Sequence, residues 1–173
     1  MKALNKIMIA ACDVNFGIGN KGHLLFRIPG DMEFFRDHTL GNVVVMGYKT
    51  FLSIHSKPLR DRINIVLTKE HADDPKLQDP KIHVCTHENL YEILEKIDLD
   101  KANSIYFMGG ESIYQRYIDE VECIYLTTFD RKYTADTHFP NPEEHGFKKV
   151  RSLVAGFYHN HIWAITKFMK HND

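Results

Sequence analysis

Val43-Val44-Val45-Met46-Gly47-Tyr48-Lys49-Thr50-Phe51 is the stretch on which the fold turns. Its first four residues are apolar without alternation, which marks a strand covered on both faces. Glycine follows at once, and the pattern then becomes helical over Tyr48–Ile54. The same order returns where Ile105-Tyr106-Phe107-Met108 runs into Gly109-Gly110 and a helix over Ser112–Ile118. A buried strand, a glycine at its carboxyl end and a helix start form the repeating unit of parallel α/β sheets.

Outward from these two units, strands are expected at Ile7–Cys12, Asn42–Met46, Ile63–Thr68, Ile82–Cys85, Ser104–Met108 and Cys123–Thr128. Helices are expected at Asp31–Thr39, just behind Pro29, and at Leu90–Ile97; proline suits a helix start. Lys148–Ala155 and Ile162–Phe168 alternate as antiparallel strands do. The expected fold is α/β: three α-β-α layers around a mainly parallel mixed sheet of about eight strands, with an antiparallel C-terminal strand. No linker, repeat or low-complexity segment interrupts the pattern, so residues 1–173 read as a single domain.

Lys and Arg number 22 against 23 Asp and Glu, a formal net charge of -1. That balance points away from nucleic acid and anionic membranes, so an anionic ligand must be met by local groups. The apolar stretch near the N-terminus breaks at Asp13, too soon for a leader or a spanning helix, and a cytoplasmic protein is expected. Cys12, Cys85 and Cys123 follow no zinc or redox spacing and read as buried reduced thiols. His159 and His161 would share a strand face, but no further ligand lies near them in sequence, and no metal is expected.

Four features carry chemistry. The two glycine junctions offer backbone amides to anionic groups and could together span one dinucleotide, although each alone is also what a tight turn needs. Neither is a G-x-G-x-x-G fingerprint. Thr68-Lys69, at a strand end, supplies a hydroxyl and an ammonium that could hold a phosphate monoester or simply face water. Asp31 and Phe35 are four apart and share a helix face. A carboxylate beside a ring on an apolar face is partly desolvated, with a raised pKa, and suits a flat nitrogen-rich heterocycle. Equally, an acid at that position favours the helix start. Asn15–Phe26 holds Gly17, Gly19 and Gly22 and reads as a mobile, lid-like loop.

Together these pieces resemble dihydrofolate reductase of the bacterial, chromosomal type over nearly the whole chain. The resemblance rests on Ile9-Ala10-Ala11, Gly17-Ile18-Gly19, Ile28-Pro29-Gly30-Asp31-Met32-x-Phe34-Phe35 and Val45-Met46-Gly47-x-Lys49-Thr50-Phe51-x-Ser53-Ile54. It continues through Pro58-Leu59-x-x-Arg62-Ile63-Asn64-Ile65-Val66-Leu67, Met108-Gly109-Gly110-x-x-Ile113-Tyr114, Leu126-Thr127 and Asp136-Thr137-x-Phe139-Pro140.

The resemblance implies NADPH-dependent reduction of 7,8-dihydrofolate to tetrahydrofolate by hydride transfer to pterin C6, in support of one-carbon metabolism and thymidylate synthesis. It implies that Asp31 holds the pterin with Thr127 beside it, and that Phe35 and Ile54 sandwich the ligand. Ile9, Ala11, Met32, Leu59 and Met108 line the cleft, and Arg62 meets the glutamate carboxylate. Gly47, Tyr48, Lys49 and Thr50 fall at one cofactor junction. Met108, Gly109, Gly110, Glu111, Ser112, Ile113 and Tyr114 fall at the other, with a cis peptide joining the glycines. Leu67, Thr68 and Lys69 lie by the 2′-phosphate, and Ala11, Ile18 and Leu24 by the nicotinamide. It further implies antifolate binding in the same cleft and a monomer.

Two departures stand out. Leu25-Phe26 replaces the family's Pro-Trp ahead of the helix, which removes an indole donor from the site. Tyr48 stands where a cation is common, so the preference for NADPH leans on Lys69 with help from Lys49. A pyrimidine reductase of riboflavin synthesis and a regulatory nucleotide-binding module are the competing readings. The former does not call for both Asp31 and Arg62.

Overall fold

The computed structural model describes residues 2–171. The first half comprises β1 (Asn5–Cys12), β2 (Gly17–Asn20), β3 (His23–Leu24), α1 (Pro29–Thr39), β4 (Val43–Gly47), α2 (Tyr48–Ser53), β5 (Ile63–Leu67) and β6 (Ile82–Cys85). The second comprises α3 (Leu90–Lys96), β7 (Ser104–Phe107), α4 (Glu111–Tyr117), β8 (Cys123–Phe129), β9 (Thr137–His138), β10 (Phe147–Tyr158) and β11 (His161–Lys170).

Eight strands form one sheet in the order β10-β11-β8-β1-β7-β4-β5-β6. The six from β8 to β6 are parallel, whereas β11 runs antiparallel to both β8 and β10. The unalternating run Val43–Met46 sits at the centre of this sheet, fully buried, because helices cover both faces. Phe34 and Phe35 of α1 and Phe51 of α2 pack with Ile7, Ile9, Val44 and Met46 on one face. Leu90 and Leu94 of α3 and Ile113 and Tyr117 of α4 pack with Met8, Val43, Val45 and Ile105 on the other. The three layers, the mixed sheet and the late antiparallel strands agree with the sequence reading.

The differences have local causes. α1 begins at Pro29, ahead of the expected Asp31, since proline's fixed φ already fits the first helical turn. β10 and β11 run further than their alternation indicated. His159 (φ 47°) and Asn160 (φ 63°) make a two-residue turn whose twist lets pairing reach Tyr158 and His161. The segment expected to be a mobile loop is instead organised: β2 pairs with β3 and with β9 in a small three-stranded sheet. Asp13, 2% exposed, anchors it. One carboxylate oxygen accepts from the Asn15 and Gly17 amides at 2.9 and 2.8 Å, and the other from the Tyr133 amide at 2.9 Å.

Cys12, Cys85 and Cys123 are free and buried. Burial pushes their thiols up to about 12, 11 and 11 respectively, which keeps them protonated and unreactive. Among the described residues, no group of three or more His, Cys, Asp or Glu is placed to hold a metal ion. None of the described helices is long and apolar enough to cross a membrane.

Candidate active site

β1 lies between β7 and β8, and its two neighbours leave it at different heights. Pairing with β7 stops at Met8 and Phe107, whereas pairing with β8 continues to Cys12 and Thr128. The sheet therefore opens between the carboxyl ends of β1 and β7, where chain connections depart in opposite directions. Open α/β sheets bind ligands at such a point. Ile9 lies just past the last β1–β7 pair, and its carbonyl is met instead by the Tyr114 hydroxyl from α4, which donates to it at 2.8 Å. Burial first, and then the charge of Asp31, push the Tyr114 phenol well above its ordinary pKa, so it stays a neutral donor.

Asp31 sits in the first turn of α1. Its Oδ1 accepts from the Thr127 hydroxyl at 2.5 Å. Thr127 is opposite Ala11 in the β1–β8 register and shares a strand face with Tyr125 and Phe129, which turns its hydroxyl toward α1. Burial raises the Asp31 pKa above the usual carboxylate range, and the Thr127 bond offsets this only in part. The sequence expectation of a desolvated acid on an apolar helix face agrees with this geometry.

Sequence reasoning missed what seats Asp31. Trp163 of β11 pairs with Phe129 and lies beneath Gly30. A Cβ on Gly30 would come within 2.5 Å of the indole atoms Cη2 and Cζ2, so only glycine lets α1 rest there. The one sequence signal was Gly30 itself, an unfavourable residue in a helical turn whose presence marks a close approach.

Around Asp31, Ile9, Phe26, Phe35, Ile54, Leu59 and Met108 belong to or pack against one apolar cluster on the α1–α2 face of the sheet. Ala11 is half-buried. Phe26 packs with its ring tilted 5.1 Å from that of Phe129 and 5.7 Å from that of Tyr133, which anchors the chain just ahead of α1 without a polar group. Met32, expected to line the cleft, and Leu24, expected by the nicotinamide, are 48% and 56% exposed. Arg62 donates to Thr39 Oγ1 at 3.1 Å and to the carbonyls of Arg60 and Arg36 at 2.7 and 3.4 Å. Among the described residues it makes no salt bridge, and a free N–H remains on each terminal nitrogen. Burial, with Arg36 nearby, lowers its pKa despite Asp61.

The two glycine junctions meet. The Gly47 amide donates to the Gly109 carbonyl at 2.8 Å, and the Gly109-Gly110 peptide is cis, as the resemblance implied. Gly109 has φ +115°, and a Cβ there would lie 3.1 Å from the Tyr114 hydroxyl. A Cβ on Gly110 would lie 3.4 Å from Thr50 Oγ1, and one on Gly47 3.4 Å from Ile113 Cγ1. Close-packed bare backbone of this kind fits a dinucleotide's phosphates. Glu111, half-buried, accepts the His138 amide at 3.0 Å, while Ser112 and Lys49 are exposed. Ile18 and Leu67 pack with Ile113 and Tyr114 in the cluster on the opposite face of the sheet. At the end of β5, Thr68 Oγ1 accepts the His71 amide at 3.1 Å. Tyr48 stacks on His71 and donates to Asp74. Lys69 is exposed, within electrostatic reach of Glu88.

A family model described as dihydrofolate reductase matches residues 6–157. Dihydrofolate reductases from Heliothis virescens and Drosophila melanogaster are 35% and 34% identical, over 83% and 78% of each chain respectively. That of Staphylococcus aureus is 31% identical over 77% of this chain and 76% of its own. Among solved structures, dihydrofolate reductase from Enterococcus faecalis, complexed with NADP(H) and RAB-propyl, superposes with a TM-score of 0.79. It shares 26% identity and covers 97% of both chains. An opened parallel sheet, a sunken acid on the first helix and the matched residues agree on one placement: the chain belongs to the dihydrofolate reductase family.

Proposed function

We propose that this chain reduces 7,8-dihydrofolate to 5,6,7,8-tetrahydrofolate with NADPH, using the opening between β1 and β7. The observation that carries the reading is Asp31, a desolvated carboxylate held by Thr127 at the mouth of an apolar cleft. Asp31 accepts two side-by-side hydrogen bonds from the amidine-like edge of the pterin and so sets the angle of the ring. Thr127 keeps the carboxylate aimed, and Tyr114 keeps the neighbouring β1 edge in place. Phe35 and Ile54 clamp the flat ligand, with Ile9, Ala11, Leu59 and Met108 as walls and Met32 at the rim. Arg62 offers its two remaining terminal N–H groups to the glutamate tail.

The Gly47–Thr50 and Gly109–Tyr114 junctions hold the NADPH phosphates, with Thr68 and Lys69 at the 2′-phosphate and Ile18 and Leu24 over the nicotinamide. NADPH, when bound, supplies the hydride. The chain aligns two flat groups and keeps bulk water away. Phe26 contributes apolar packing and no hydrogen-bond donor, so the proton for N5 comes from water that the Phe26 side chain does not orient. We further propose a cytoplasmic monomer, one functional unit over residues 1–173, whose cleft also takes antifolates.

The test is absorbance of reduced cofactor in a mixture of protein, NADPH and dihydrofolate. Turnover is expected near neutral pH, and loss of turnover in Asp31→Asn, partly recovered at low pH where the substrate itself is protonated. An Asp31→Asn protein as fast as the parent refutes the assignment.

A further inference from the structure

Tyr48 occupies a place where a cation was expected to read the 2′-phosphate, and Lys69 alone is a weak replacement. Lys69 is exposed, and Glu88 lies within its field. The side chains around β5 provide another group. The His71 amide donates to Thr68 Oγ1 at 3.1 Å, so the Thr68 hydroxyl keeps its own proton free to donate outward. This bond also folds residues 68–71 back over the start of α2. There the His71 ring lies on the Tyr48 ring, centroids 4.1 Å apart and 19° from parallel. Tyr48 is itself tied down: its hydroxyl donates to Asp74, whose other oxygen accepts the Lys76 amide at 2.9 Å. Asp74, which lies within electrostatic reach of His71, thus has both oxygens engaged. The imidazole's ring nitrogens make no hydrogen bond among the described residues, whereas those of His38, His87, His145 and His161 each make one.

We propose that His71 is a specificity-determining residue for NADPH, donating a ring N–H to the 2′-phosphate alongside Thr68 and Lys69, with Tyr48 as the platform that positions it. The inference rests on the cofactor reading above and names the group that replaces the missing cation. An imidazole donates in either protonation form, and when charged it also adds Coulomb attraction to a phosphate. Held flat on Tyr48 by stacking, it loses little rotamer freedom when the ligand arrives.

The test is binding, not turnover: calorimetric titration of the free protein with NADPH and with NADH, which lacks only the 2′-phosphate. In His71→Gln, NADPH affinity is expected to fall about five- to tenfold, the worth of one exposed charge-assisted hydrogen bond, with NADH affinity unchanged within about twofold. His71→Arg keeps a planar donor and is expected to restore the preference. Tyr48→Leu, which removes the platform and keeps His71, should lose part of the same discrimination. A His71→Gln protein with the parent's NADPH-to-NADH affinity ratio overturns the proposal while the cofactor reading stands. A parent protein with no preference for NADPH overturns both.

Discussion

The two halves of the cleft are built on opposite plans. The proposed substrate half places one half-buried charge between α1, β8 and β11, and its partners are far apart in sequence: Thr127 is 96 residues from Asp31. The proposed cofactor half uses local groups. Bare backbone lies at Gly47, Gly109 and Gly110, and half-buried or exposed side chains lie at Thr68, Lys69 and His71. The first plan prepares the site before any ligand arrives and sacrifices some stability to do so. The second leaves charges in water, where each is worth little alone and several must act together. Salt should therefore weaken cofactor binding more than it weakens the Asp31 contact.

Breaking the substrate half has the largest expected effect. Asp31→Asn should lower kcat/KM by about three orders of magnitude, read by steady-state kinetics; a loss of less than tenfold would place the decisive contact elsewhere. Gly109→Ala follows, because φ +115° strains any side chain and the added methyl meets the Tyr114 hydroxyl. Calorimetry should show NADPH binding weakened by roughly 1–3 kcal/mol. Gly30→Ala drives a methyl into Trp163. It should destabilise the protein by about 1–3 kcal/mol and raise KM for dihydrofolate as Asp31 shifts. Adding Trp163→Leu should recover stability if that collision is the cause. Thr127→Val should weaken substrate binding by about 1 kcal/mol, close to fivefold.

The smallest effect has the opposite sign. The folded-state pKa of Asp31 is raised, so its ionisation on folding is unfavourable. Its relative contribution to stability is fully present below the ordinary carboxylate pKa and is lost as pH climbs through the raised value. At neutral pH, Asp31→Asn should therefore raise Tm by about 2–4 °C while removing most turnover. The gain should vanish in acid. A variant that melts lower than the parent at pH 7 would show that Asp31 is a stabilising group after all.

Legibility in the sequence follows the same division. The central sheet could be read because Val43–Met46 and Ile105–Phe107 are buried on both faces and so lose alternation. The glycine junctions were legible because glycine, strand end and helix start are neighbours in the chain. The small sheet of β2, β3 and β9 was not. Its strands have two to four residues, two of them glycines, and β2 meets β9 across more than a hundred positions. Asp13 looked like a break in an apolar run, and only tertiary structure brings the Gly17 and Tyr133 amides to it. Met32 was expected to line the cleft, yet helix period alone cannot tell a buried position from an exposed one on the same helix. His71 carried no motif, since its meaning comes from Tyr48, 23 positions earlier.

Trp163 is the chain's only tryptophan, and it lies against the foot of the helix that carries Asp31. Nature has thereby installed a built-in optical gauge. Light absorbed by the indole alone is emitted from directly beneath the first turn of α1. Any ligand that moves α1 or quenches from the neighbouring pocket writes its arrival into that single emission band, with no dye or label attached.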